Sequence, residues 1–162
     1  ALPILMFFEH RAMLAAASAR RAYPGDEYVL PFGRGRLVRE GKSLTIVTWG
    51  AMVERCEAAA EQAGESIEII DLRTIIPWDR AMVLASVRKT SRCLIVHEDF
   101  ELVGFGAEIA AVVVGDAFLD LDAPVQRLAA PSVPVPFNTS LMDGMIPRVD
   151  QIRERIEWLL EF

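Results

Sequence analysis

From Leu44 onward the chain repeats one unit: a short apolar run with almost no polar alternation, then a stretch of helical periodicity. LTIVTW, residues 44–49, leads into a segment in which Met52, Val53, Cys56, Ala60 and Ala63 share one helical face until Gly64 ends it. Ile67 to Leu72 is the next strand, after which Pro77 and the N-cap residue Asp79 introduce a helix with Met82, Val83 and Val87 on one side. Cys93 to Val96 is the third strand, and the turn Gly104-Phe105-Gly106 opens an Ala/Val-rich helix to Ala117. Pro124 to Leu128 is the fourth strand, and Val149, Ile152, Ile156, Leu159 and Leu160 form the stripe of a last helix with Asp150 near its start. A strand without a polar face is buried on both sides, and a helix between successive strands is the crossover that parallel pairing requires. The pattern therefore predicts an α/β fold, a three-layer α/β/α sandwich on a mostly parallel sheet.

Ahead of this repeat the signals are weaker. Leu2 to Phe8 reads as a short strand, Arg11 to Arg21 as an Ala-rich helix, and Pro24-Gly25-Asp26 as a turn. Residues 1–40 thus read as a linker with small elements of its own, and residues 41–162 as the domain. The chain opens on ALPILMFFEHR, with no initiator Met and no basic leader, which suggests a fragment of a longer protein.

Composition narrows the functions. With 52% hydrophobic and 25% charged residues in 162, the chain can bury a core without a metal or disulfide. A formal net charge of −6 argues against a nucleic-acid partner, which needs a surplus of Lys and Arg. Apolar runs such as Ile109 to Val114 fall far short of the ~20 residues that span a bilayer, so no membrane partner is expected. Cys56 and Cys93 read as small core residues of a reducing compartment, and a cytoplasmic, bacterial setting is expected.

Strand-to-helix turns in a parallel sheet gather at the carboxyl ends of the strands, where ligands or partner domains dock. Here they are Gly50-Ala51, Arg73 to Asp79 and His97 to Gly106. Neither Gly33-Arg34-Gly35 nor Gly104-Phe105-Gly106 has the spacing of a phosphate cradle. His97-Glu98-Asp99 is the most function-like cluster: either His97 exchanges protons there, or it satisfies backbone groups at the top of the sheet while the acids meet solvent. No serine elbow, His-x-x-x-His or Cys-x-x-Cys pair is present. DLRTIIPWD places Ile75, Ile76 and Trp78 beside Arg73 in one connection, where such side chains pack either under the domain's own helices or against another polypeptide, a partner surface being favoured. PSVPVPF, residues 131–137, is a stiff extended segment that either wraps the domain edge or meets a partner. The final helix ends in Glu157, Trp158, Glu161 and Phe162, an acidic tip able to receive a basic partner.

Taken in order, EGKSLTIVTWG, EIIDLRTIIPWD, SVRKTSRCLIVHED, GFGAEIAA, LDAPVQRL and PSVPVPF resemble the C-terminal, transketolase-like domain of the β-subunit in the decarboxylase component of 2-oxo acid dehydrogenase complexes. The likeness extends over nearly the whole chain. PILMFFE looks like the last strand of the preceding pyrimidine-binding domain, and DLRTIIPWD with His97-Glu98 leans toward the branched-chain 2-oxo acid (2-oxoisovalerate) enzymes over the pyruvate enzymes. Ala130-Pro131-Ser132 departs from a family pattern of Gly and Asp before the proline pair, and Arg11 to Asp26 is loosely matched.

The resemblance implies a multienzyme oxidoreductase that decarboxylates a 2-oxo acid with thiamine diphosphate and Mg2+ and passes the acyl group to a lipoyl arm. Cofactor, metal and catalytic residues belong to domains outside this chain, so neither His10 nor His97 inherits a catalytic role. Implied partners are the α-subunit or α-domain, a second β-subunit, and the subunit-binding domain of the lipoyl acyltransferase. The expected interface residues are Arg73, Ile75, Ile76 and Trp78 in one loop, His97, Glu98 and Phe105 at the sheet edge, and Glu157, Trp158, Glu161 and Phe162 at the docking end. The competing readings are a nucleotide- or flavin-binding module using the turns at Gly50 and Gly104, and the C-terminal domain of a transketolase or deoxyxylulose phosphate synthase.

Overall fold

The computed structural model describes residue 6, residues 8–17 and residues 20–162. Five strands, β1 (Arg36–Arg39), β2 (Leu44–Thr48), β3 (Ile67–Asp71), β4 (Cys93–Phe100) and β5 (Gln126–Ala130), form one sheet in the order β1-β3-β2-β4-β5. β2, β3, β4 and β5 are parallel, and β1 pairs antiparallel on the outer edge of β3. Helices α2 (Met52–Ala63), α3 (Arg80–Thr90), α4 (Gly106–Ala117) and α6 (Val149–Leu160) cover the sheet, with α1 (Arg11–Ala15) and α5 (Thr139–Met145) at its carboxyl side.

The alternation of β2 explains the three layers. Leu44 and Ile46 pack with Met52, Cys56, Ile152 and Ile156 on the α2/α6 face. Val47 joins Val83, Val87, Ile109 and Val113 on the α3/α4 face. Every residue of β2 is buried, which is why the strand shows no polar side in sequence. Gly64 closes α2 in the left-handed conformation at φ 70, and the Asp79 carboxylate caps α3 by accepting from the Met82 amide at 3.1 Å.

One polar network lies inside the α3/α4 layer. Thr45 Oγ1 is 2.7 Å from both Ser86 Oγ and Thr90 Oγ1, and Glu68, 3% exposed, accepts from Ser86, Lys89 and the Gly41 amide. Burial pushes the Glu68 carboxyl up, and the bonds from Lys89, Ser86 and Gly41 more than offset that, so it titrates below the usual range. A buried charge so fully bonded fixes α3 against the amino ends of β2 and β3.

The structure revises several boundaries. The helix expected over Arg11–Arg21 stops at Ala15, because residues 11–15 bury no side chain that would carry it further. The expected strand over Leu2–Phe8 lies outside the described residues except Met6 and Phe8, which are exposed and irregular. β4 runs on to Phe100 and β5 is shifted to Gln126–Ala130, since the two resume pairing at Phe100 and Ala130 beyond an irregularity. The short helix α5 has no apolar periodicity and was not visible in sequence; the Asn138 side chain caps it. Cys56 and Cys93 are free and fully buried, and burial pushes both thiols up to about 12. Among the described residues no helix is long and apolar enough to cross a membrane.

The α2/α6 layer supplies a direct test. Ile156 is fully buried in that cluster, so Ile156→Ala should lower unfolding free energy by about 2–5 kcal/mol in urea titrations with little change in slope.

Candidate functional site at the carboxyl edge of the sheet

The chain leaves β2 toward β3 and later returns to place β4 on the other side, so the crevice between the carboxyl ends of β2 and β4 is the topological switch point. This is where a ligand would sit in a doubly wound sheet. The protein's own rings fill it. Trp49, just beyond β2, stacks on His97 of β4 with centroids 5.2 Å apart and planes 8° from parallel. Phe105 stands edge-on to Trp49 at 6.1 Å and to Trp78 at 6.3 Å, joining all three carboxyl-end turns. A Cβ on Gly106 would lie 2.3 Å from His97 Nε2, so α4 begins this close to the ring only because that position is glycine.

His97 is fully buried, and neither ring nitrogen has a hydrogen-bond partner. The ring makes no hydrogen bond of ordinary geometry, although the Asp99 backbone lies close enough to favour its charged form, and it is packed between Trp49 and the start of α4. Burial holds the imidazole below its ordinary pKa, against the pull of the Asp99 carboxylate, and Arg127 acts in the same direction as burial. Glu98 points the other way, toward the α2/α6 side, and its Oε2 is 2.9 Å from His10 Nε2 in the linker. There it borders a groove of about 530 Å³ that Phe100, Val135, Met142 and Ile146 also line.

The DLRTIIPWD loop divides. Trp78 packs against the α3/α4 core, whereas Ile76 is 86% exposed and Arg73 sits in the left-handed region at φ 60. Sequence reasoning missed what anchors this loop. The Gly33 amide donates to Thr74 Oγ1 at 2.9 Å and the Gly35 amide to Asp79 Oδ2 at 3.1 Å, so the Gly-Arg-Gly turn is a clasp on the loop. Its only sequence trace was the pair of glycines.

The remaining predicted residues lie elsewhere. Arg92, just before β4, donates from Nε to the Leu159 carbonyl at 3.0 Å, which sets the end of α6 at the amino edge of the sheet. There Trp158 packs edge-on against Phe162 at 4.8 Å, under the Arg155 guanidinium at 5.7 Å. Glu157 is bonded to Arg153 at 2.7 Å, while Glu161 and Phe162 are exposed. The predicted interface residues thus form two sets, one at the carboxyl ends of the strands and one at the amino end of β4.

The fold, the switch-point geometry and the sequence pattern agree with one family model. Residues 33–152 match the family described as transketolase, C-terminal domain. The chain belongs to the transketolase C-terminal domain family. Among relatives, the mitochondrial 2-oxoisovalerate dehydrogenase subunit beta 2 of Arabidopsis thaliana is 41% identical over 159 residues, 95% of this chain and 44% of that protein. The 2-oxoisovalerate dehydrogenase subunit beta of Bacillus subtilis is 33% identical over 162 residues, 98% of this chain and 49% of that protein. The pyruvate dehydrogenase E1 component subunit beta of Staphylococcus aureus is 37% identical over 161 residues, with 98% and 49% covered. A solved structure of a split gene transketolase, an inactive beta4 tetramer, superposes with a TM-score of 0.70 over 85% of this chain and 44% of its own, at 24% identity, a likeness of fold. The chain spans about half the length of the curated relatives it matches.

The buried ring predicts a pH dependence. An unfolded histidine takes up its proton near the ordinary value of 6.5 and the folded ring only at lower pH, so this contribution to stability is complete above that value and is lost as pH falls below it. His97→Phe should therefore flatten the fall in thermal midpoint between about pH 7 and about pH 5; a slope equal to that of the unaltered chain would show that His97 does not titrate on unfolding.

Proposed function

We propose that this chain is the C-terminal domain of the β-subunit of a thiamine diphosphate-dependent 2-oxo acid dehydrogenase, and that it serves assembly and docking rather than bond making. Its parent would act on a branched-chain 2-oxo acid. Identity to 2-oxoisovalerate dehydrogenase β-subunits along nearly the whole chain supports this, as do DLRTIIPWD and His97-Glu98; pyruvate dehydrogenase relatives of comparable identity make pyruvate the competing substrate. Residues 1–40 would hold the end of a pyrimidine-binding domain and its linker, whose closing stretch, Arg36–Arg39, joins this domain's sheet as β1. The buried free thiols suit a reducing setting such as the bacterial cytosol.

The observation that carries the reading is the opposition of the two residue sets. The linker is tied to the carboxyl edge twice, by His10 to Glu98 and by Gly33 to Thr74. That edge, with Arg73, Ile75, Ile76, Trp78 and Phe105, would face the rest of the β-subunit, the α-subunit and a second β-subunit. The amino edge is left for the lipoyl acyltransferase, whose basic subunit-binding domain would meet Glu161, Phe162 and the Trp158 ring. Arg153 and Arg155 flank that tip, so an incoming cation competes with Arg153 for Glu157.

The edge residues do not suit diphosphate or Mg2+. Side chains occupy the switch-point crevice, and among the described residues no group of three His, Cys, Asp or Glu is placed to hold a metal. In the parent, thiamine diphosphate would supply the carbanion chemistry from other domains, while this chain holds shape and contact surface.

Reversing charge at Glu157 and Glu161 to lysine should slow association with the acyltransferase's subunit-binding domain and weaken its salt dependence, read by stopped-flow at several ionic strengths. Unchanged binding would remove the docking assignment. Calorimetry of the purified chain with thiamine diphosphate and Mg2+ should give no heat of binding, and stoichiometric binding or turnover of a 2-oxo acid by this chain alone would overturn the assembly reading.

A further inference from the structure

The carboxyl edge carries a cationic corner that the chain itself neutralises only in part. Arg36 at the start of β1 lies opposite Asp71 at the end of β3. The pair is loose, with Arg36 Nη2 3.8 Å from Asp71 Oδ2 and the buried Arg36 Nε left without a partner. Arg73 reaches the same carboxylate only through its charge and its backbone amide, which donates to Asp71 Oδ1 at 3.1 Å. Arg34 is exposed between two glycines that are clasped to the Thr74–Asp79 turn, so it stands beside the same loop. Among the described residues, neither the Arg34 nor the Arg73 side chain has a hydrogen bond or ion pair. Three guanidinium groups therefore stand at a corner with two carboxylates: Asp71, shared by Arg36 and Arg73, and Asp79, which already accepts from the Gly35 and Met82 amides. Arg55, Arg80 and Arg148 are by contrast matched closely, to Asp143, Asp116 and Asp150. Two large apolar side chains rim the corner, Phe32 at 82% and Ile76 at 86% exposure.

We propose that this corner receives an acidic segment with an apolar tip, carried by the domain that precedes this one in the same polypeptide. The inference rests on the assembly reading above and adds to it a named contact and its sign. Charge complementarity selects a carboxylate-bearing surface, because an arginine fork binds a carboxylate through paired N–H donors and Phe32 and Ile76 exclude water around it. The path of the chain selects the source. Linker residues are bonded to this edge at His10, which meets Glu98 on β4, and again at Gly33, beside the corner, so the preceding polypeptide runs along the edge that carries it and is held there at high effective concentration. The chain's overall charge of −6 disfavours a nucleic-acid occupant.

The test uses the complete polypeptide. Arg34→Lys, Arg36→Lys and Arg73→Lys, made singly, put an amine at each position, and a carbodiimide joins an amine only to a carboxylate in direct contact. The expected result, by mass spectrometry, is a zero-length link from position 34 or 73 to an Asp or Glu of the preceding domain. In parallel, Arg34→Glu combined with Arg73→Glu should speed tryptic cleavage after Arg20 and Arg21 about tenfold in the complete polypeptide, because the loosened interface opens the linker more often. The same pair in the 162-residue chain should leave cleavage there unchanged, which separates interface loss from misfolding. Links confined to Asp71, Asp79 or the linker acids Glu9, Asp26 and Glu27, or to a companion subunit, would overturn the proposal while leaving the assembly reading intact. Retention on heparin that the double Glu variant abolishes, without any link, would overturn it in favour of a polyanion. A polypeptide with no folded domain ahead of residue 6 would remove the assembly reading and the corner's occupant together.

Discussion

The burial of β2 is the constraint from which the other features follow. Its five residues are all inside the molecule, so both rows of its backbone groups must be paired by neighbouring strands and both faces must be covered by helices. Pairing with β3 on one side and β4 on the other satisfies the first demand, and α2 with α6 against α3 with α4 satisfies the second. A central strand flanked in this way necessarily creates a switch point at its carboxyl end, directly beside Trp49. Here stacked rings close the switch point.

That closure has a cost and a use. An unbonded, buried imidazole forfeits hydrogen bonds it would make in water, and the price is met by the contacts of His97 with Trp49 and with the glycine-started end of α4. The use is rigidity. Phe105 joins the turns after β2, β3 and β4 through Trp49, Trp78 and the start of α4, so the carboxyl edge is a firm platform on which the linker is clasped. Charge follows the same division of labour: the platform has a guanidinium corner, and the far edge ends in an acidic tip around Trp158 and Phe162.

Most of the parallel core was legible because its signals are local. Apolar runs mark β2, β3 and β4, the 3.6-residue stripe marks α2 and α6, and Asp79 and Gly64 mark where helices begin and end. The helix expected past Ala15 failed because alanine propensity without a buried face cannot sustain so short a helix. α5 escaped notice because it is capped by Asn138 and buries no side chain, leaving no periodic trace. In the function-like cluster His97-Glu98-Asp99, adjacent residues on a strand face opposite layers, so the His97 ring packs under Trp49 while Glu98 meets His10 on the other side of the sheet.

By itself the sequence determined the four parallel strands and the helices that cross between them, though not the antiparallel edge strand β1, and it determined that the sheet is mostly parallel and covered on both sides and which family pattern the segments follow in order. These are properties of neighbours along the chain, where hydrophobic period and capping chemistry act. The tertiary structure alone decided that the ring of His97 is sealed under Trp49, that Gly33 and Gly35 clasp the Thr74–Asp79 turn, and that the two predicted interface sets occupy opposite edges. Each of those depends on the direction in which a side chain leaves a packed element and on contacts between residues tens of positions apart, and a one-dimensional pattern carries neither.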